Sequence, residues 1–153
     1  MKLIPMTQAI YPDYLEQAIK DFAEDKVKAN TWSKTEALAR SKESFATLLP
    51  DGLATTGHYL LMIERAQEVI GYTWVYFDGL KSEEAFVYDF LLFEQHRGKG
   101  YGQEAMHAIK TFCHDLGATK LSLHVFGHNQ RALHVYEKVG FVVTDYSLSV
   151  DLV

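Results

Sequence analysis

The chain has 153 residues, 48% of them hydrophobic and 23% charged, with ten Gly and three Pro. That composition suits one compact domain over residues 1–153 and excludes a disordered or fibrous segment. Twenty acids against 15 Lys plus Arg give a formal charge of −5, so a broad basic surface for nucleic acid is not expected and any anion site must be local.

Cys113 is the single cysteine, which rules out an internal disulfide and a cysteine-based zinc site. No apolar run approaches the ~20 residues of a membrane span, and the N-terminal stretch is too short for a secretion signal. A cytoplasmic protein with no membrane partner is expected.

In chain order, "KLIPM" (2–6) reads as a short strand. Pro12 and Asp13 open a helix with Leu15, Ala18, Ile19, Phe22 and Ala23 on one face. Ser33 and Glu36 stand in capping-box spacing before a second helix, which stops at Pro50-Asp51-Gly52. The aromatic and β-branched runs 58–64, 69–77 and 85–93 then predict an antiparallel meander. A helix from Tyr101 to Leu116 follows, stopped by Gly117, then a strand over 120–126 and a helix from Asn129 to Val139. Residues 141–145 and 147–153 predict a closing hairpin. Bunched strands followed by alternation with helices make this an α/β chain with a mixed, largely antiparallel central sheet flanked by helices.

The stretch "QHRGKGYG" (95–102) joins a strand end to a helix start. Helix N-termini carry unpaired N–H groups and a positive dipole end. Gly98, Gly100 and Gly102 let backbone approach a ligand, and His96, Arg97 and Lys99 add local positive character. The combination points to a phosphate or pyrophosphate site. A tight turn with solubilising charges is the plainer alternative, but three glycines are more than such a turn needs. The P-loop and dinucleotide fingerprints both fail on glycine spacing.

The pattern that fits is Q/R-x-x-G-x-G/A, on Gln95, Gly98 and Gly100. In this the chain resembles the GNAT superfamily of GCN5-related N-acetyltransferases, in which the loop holds the pyrophosphate of acetyl-coenzyme A. A second stretch, "HNQRALHVYEKVGF" (128–141), resembles the family signature N-x-x-A-x-x-x-Y-E-K-x-G-F at every defined position. Asn129, Ala132 and Tyr136 share one helical face. Taken separately, Asn129 also suits an N-cap and Tyr136 a core aromatic. The resemblance covers roughly residues 58–150.

It implies a GNAT-like acyl-CoA acyltransferase fold with fourth and fifth strands that splay around the cofactor. Loop residues Gln95, His96, Arg97, Gly98, Lys99, Gly100, Tyr101 and Gly102 would bind the pyrophosphate. Backbone of Leu91, Leu92 and Phe93 would bond the pantetheine amides like an added strand. Asn129 would contact the pantetheine arm, Ala132 would leave room for it, and Tyr136 would protonate the departing thiolate.

Acetyl transfer to an amine also needs a base. Asp89 interrupts the apolar strand "FVYDFLLF", where a carboxylate is costly unless paired or lining a cleft, and is the first candidate; a structural Asp bonded to a hydroxyl is the alternative. His124, mid-strand, is the second. The histidines form no HExxH and no metal is expected. Glu16, Asp21, Glu24, Asp25, Glu36 and Glu43 on the first two helices could attract a cationic acceptor of small-molecule or peptide type, a solvated helix face being the plainer alternative. The expected activity is therefore acetyl-CoA-dependent N-acetylation of a primary amine by direct attack. A non-catalytic acyl-CoA-binding sensor or interaction module is the alternative, and a homodimer through the C-terminal strands or a sheet edge fits either.

Overall fold

The computed structural model describes all 153 residues. The elements are β1 (Lys2–Pro5), α1 (Tyr11–Lys28), α2 (Ala37–Leu48), β2 (His58–Arg65), β3 (Glu68–Tyr76), β4 (Glu84–Leu92), α3 (Tyr101–Leu116), β5 (Lys120–Leu123) and α4 (Gln130–Lys138). They build one five-stranded sheet in the order β1-β2-β3-β4-β5. The first three pairings are antiparallel and the last, β4 with β5, is parallel.

Local chemistry accounts for most of the boundaries. Pro12 occupies the first turn of α1, where a missing N–H costs nothing. Ser33 and Glu36 make the reciprocal capping bonds, Glu36 N–H to Ser33 Oγ at 3.4 Å and Ser33 N–H to Glu36 Oε1 at 3.3 Å. The β2–β3 hairpin turns on Ala66 and Gln67, both left-handed with φ of 51° and 67°, the geometry a two-residue hairpin demands. Gly71 lets β3 and β4 approach closely, since a Cβ there would lie 2.1 Å from the Leu91 carbonyl oxygen.

Helices cover both faces. On one, α3 and α4 bury Met106, Ile109 and Tyr136 against Val75 and Val87. On the other, α1 and α2 bury Tyr14, Ala18 and Phe45 against Leu60 and Trp74.

Two expectations need correction. The fifth strand stops at Leu123 instead of continuing to 126, because β4 pairs with it only from Glu84 to Val87. The C-terminal hairpin is absent: residues 142–153 form no strand and contribute no backbone hydrogen bond. A strand pattern becomes a strand only on a partner edge, and this segment lies on none, although the outer edge of β5 is free.

Candidate active site

The site begins with an irregularity in β4. Trp74 pairs with Asp89 and Val75 with Val87, so Tyr88 is an extra residue, a β-bulge. Bulges bend the strand that carries them. The parallel pairing ends at this point, with Val87 opposite Leu123, while β4 continues to Leu92. Beyond Val87 the β4 edge toward β5 is therefore unpaired, and the two strands part.

Helices flank the gap on both faces. Tyr14 of α1 reaches β4 through Asp89, while Phe22 packs on Phe126, ring centroids 6.2 Å apart, in the segment that follows β5. His128 Nε2 lies 2.9 Å from Asp25 Oδ1, a second tie across the same span. On the opposite face Tyr136 of α4 packs against Phe90 of β4 at 6.3 Å and against Phe141 at 5.8 Å.

At the bulge stands Asp89. Tyr14 donates its phenol hydrogen to Asp89 Oδ2 at 2.7 Å. Burial pushes the Asp89 carboxyl up to about 6, against the Tyr14 bond, which stabilises the charged form; the fields of Asp21 and Asp25 add to the rise. Burial and then Asp89 hold the Tyr14 phenol well above its ordinary range, so it remains a donor. Tyr136 is 8% exposed, and its hydroxyl makes no hydrogen bond within the chain. Burial, with a smaller contribution from Asp89, raises it to about 12.

The glycine-rich loop follows β4 through a short 3-10 turn, Glu94–His96. Gly98 and Gly100 are left-handed, with φ of 73° and 82°, and Gly100 is the residue before α3 with no side-chain cap. None of the N–H groups from Gly98 to Gln103 donates to another group of the chain. A Cβ on Gly100 would meet nothing within 4 Å, so the loop lies open in front of these donors. Such a cradle fits a pyrophosphate.

The flanking side chains are placed differently from one another. Arg97 turns its Nε–H to the Leu92 carbonyl at 2.9 Å, fastening loop to strand. His96 points back to β3, its Nε2 3.3 Å from Glu68 Oε1 but without hydrogen-bond geometry. Lys99 is exposed, whereas Tyr101 stacks under the Arg65 guanidinium at 4.1 Å. Gln95 is also exposed.

Asn129 caps α4, its Oδ1 accepting from the Ala132 N–H at 3.2 Å. Ala132 is half-buried beside the core that includes Tyr136. His124 lies one residue past β5 and is exposed, its ring edge-on to Phe126 at 4.9 Å. Burial, then the nearby Lys26, lowers its imidazole below the ordinary value. No group of three or more His, Cys, Asp or Glu is placed to hold a metal ion, and no helix is long and apolar enough to cross a membrane.

The family model of the Acetyltransferase (GNAT) family matches residues 12–141. The chain belongs to this family. The match takes in α1 and α2, which extends the resemblance N-terminal to the two motifs that first carried it. Among GNAT relatives it is 42% identical to the uncharacterized N-acetyltransferase YycN of Bacillus subtilis over 149 residues, 96% of both chains. It is 34% identical to YdgE of the same organism, also an uncharacterized N-acetyltransferase, over 92% of this chain and 90% of that one. The crystal structure of YycN superposes with a TM-score of 0.95, covering 99% of this chain and 98% of its own. The protein is thus a GNAT acetyltransferase with the mixed sheet expected of that fold.

Several parts of this acetyltransferase site had no signal in the motifs. Tyr14 sits 75 residues from Asp89, and only its spacing of four from the core residue Ala18 marked it as inward-facing. The Tyr88 bulge leaves no compositional trace. Phe126 and His128 meet α1 across more than 100 residues of chain, with 103 separating His128 from Asp25.

Proposed function

We propose that this acetyltransferase moves acetyl from acetyl-CoA to a primary amine, small-molecule or peptide, by direct attack in the gap between β4 and β5. The observation that carries the reading is a pair of groups beside one gap whose environments separate their acidities. Asp89 stands near 6 and Tyr136 near 12.

Bound acetyl-CoA supplies the activated acyl group, a thioester. The open N–H groups from Gly98 to Gln103 hold its pyrophosphate, with Lys99 and the remaining loop residues Gln95, His96, Arg97 and Tyr101 shaping the seat. Leu91, Leu92 and Phe93 border the pantetheine arm with Asn129 and Ala132. The Leu92 carbonyl already accepts from Arg97 and the Phe93 N–H already donates to Ile70, so strand-like bonding of the amides falls to the β4 edge left unpaired past Val87. Asp89, ionised above its pKa of about 6, takes the proton from the ammonium. Tyr14 holds that carboxylate in place. Tyr136, protonated at every physiological pH, donates to the departing thiolate. Asp21 and Asp25, whose fields reach Asp89, favour a cationic acceptor. His124, exposed and lowered in basicity, stands as a relay toward solvent. Positioning of amine and thioester supplies the rest of the acceleration. The reading takes the protein as one cytoplasmic domain without metal, nucleic acid or membrane partner.

The test is turnover of acetyl-CoA with a panel of polyamines, aminoglycosides, amino acids and peptides, following released thiol and acceptor mass. Thiol release matched by acetylated amine, and suppressed in Asp89→Asn, is expected. Tight acetyl-CoA binding with no acceptor in the panel modified would favour the non-catalytic sensor.

A further inference from the structure

In a regular strand Tyr88 and Asp89 would face opposite sides of the sheet. Here both face α1 and α2. The Asp89 carboxylate meets Tyr14 of α1, and the Tyr88 ring stacks at 4.7 Å and 27° on Trp74, which belongs to the core under those two helices. The extra residue of the bulge re-aims the side chain in this way and sets an aromatic ring next to the carboxylate. Tyr88 is 39% exposed, and it is the one exposed large hydrophobic residue that lies on a strand.

From Tyr88 a line of rings runs round the α1 and α2 side of the gap. Phe45 lies 5.5 Å from Trp74, Phe22 6.1 Å from Phe45, Phe126 6.2 Å from Phe22 and His124 4.9 Å from Phe126. The last parallel pair is Val87 with Leu123, so Tyr88 and His124 are the first residues beyond it. The arc therefore starts on one lip of the gap and ends on the other. Its middle is buried, with Trp74 2% and Phe45 8% exposed, while both ends are open. The support behind Tyr88 is uncharged. Trp74 Nε1–H donates to His58 Nδ1 at 2.9 Å, which requires an unprotonated nitrogen there, and Phe86 packs on Tyr88 at 4.8 Å.

The charges around the arc suit one ammonium and not several. Asp21 accepts from Gln17 Nε2 at 2.8 Å, and Asp25 faces His128 at 2.9 Å. Glu16 and Glu36 pair with Lys20 and Arg40. Lys26 sets its ammonium over the rings of Phe22 and Trp32 at 5.5 and 5.2 Å, and its field reaches His124. A second positive charge on an acceptor would meet Lys26 there, whereas a flat uncharged arm would gain the ring of Tyr88.

We propose, on the transfer reading above, that the acceptor is a primary monoamine carrying an aromatic ring on a short linker, with the ring seated on Tyr88 inside this arc and the nitrogen at Asp89. Adjacent Cα atoms stand about 3.8 Å apart, so a ring on one residue and a nitrogen at the next call for a linker of about two carbons. Tyr88 holds the arm and takes no part in moving protons. Its loss falls on KM, with kcat retained.

Steady-state kinetics of the full chain with acetyl-CoA should compare phenethylamine and tryptamine with butylamine, spermidine and kanamycin. The two aromatic amines are expected to exceed the other three in kcat/KM by about 10-fold or more, the worth of a stacked and partly buried ring. In Tyr88→Ala, checked for folding by circular dichroism, KM for phenethylamine should rise by about 10-fold with kcat and the butylamine constants held. Tyr88→Phe keeps the ring and should behave as the parent. Spermidine, kanamycin or butylamine acetylated as efficiently as the aromatic amines would overturn this acceptor class and leave the transfer reading standing. An unchanged phenethylamine KM in folded Tyr88→Ala would do the same. No acetylation of any of the five amines by the parent would overturn the transfer reading and this acceptor class with it.

Discussion

Replacing Asp89 by Asn removes a charge that the fold holds at a cost, and the cost sets a measurable signature. Burial lifts the carboxyl from 3.8 to about 6. The folded state therefore holds the proton more tightly than the unfolded chain. Stability is highest below 3.8, falls as pH rises through the interval, and the loss is complete above about 6. The rise corresponds to about 3 kcal/mol of destabilisation at neutral pH. Asn is nearly the same size, and its carbonyl oxygen still accepts from Tyr14. Urea unfolding should find Asp89→Asn more stable than the parent by up to about 3 kcal/mol at about pH 8, with the gap narrowing toward about pH 4.5. Turnover should meanwhile fall by about 10²-fold or more, the usual worth of a general base. A variant no more stable at the higher pH would show that the carboxylate is not desolvated. Undiminished turnover would remove Asp89 from the chemistry.

The other predictions concern the residues around it. Tyr14→Phe deletes the bond that favours the carboxylate, so the acidic limb of kcat/KM should move upward from about 6. A bond to a charged group is worth about 1.5–3 kcal/mol, which places that movement at about one to two pH units. Tyr136→Phe should lower kcat by about 10²-fold or more. It should leave thermal stability nearly unchanged, because the hydroxyl has no partner in the chain, and acetyl-CoA affinity by calorimetry should also hold. Asn129→Ala removes the α4 cap and should cost about 1 kcal/mol in urea unfolding while raising KM for acetyl-CoA.

The geometry of the glycine-rich loop was legible because it is local. Glycines at 98 and 100 write a left-handed loop directly into the chain, and α3 runs from Tyr101 to Leu116 as its periodicity and Gly117 require. The capping box before α2 and the meander of β2 to β4 are likewise nearest-neighbour matters. The surroundings of Asp89 rest on contacts between distant segments. Asp89 is visible as a carboxylate in an apolar run, but its phenol partner comes from α1 and its place beside an irregular pairing from a bulge at Tyr88. The alternation in 147–153 predicts one strand of a closing hairpin, yet residues 142–153 form neither strand nor hairpin, since a pattern of side chains does not say whose edge it will meet.

Calorimetric titration of acetyl-CoA into the protein and its Gly100→Glu variant tests the central claim most directly. Residue 100 has open space around it, so the added side chain fits, while φ of 82° costs an L residue about 1–2 kcal/mol. Its carboxylate would then compete for the N–H groups the pyrophosphate needs. Binding to the parent that is lost in a folded Gly100→Glu variant is the expected result. No binding of acetyl-CoA to the folded parent, or equal binding to both proteins, would contradict an acetyl-CoA site on this loop and the transfer reaction built upon it.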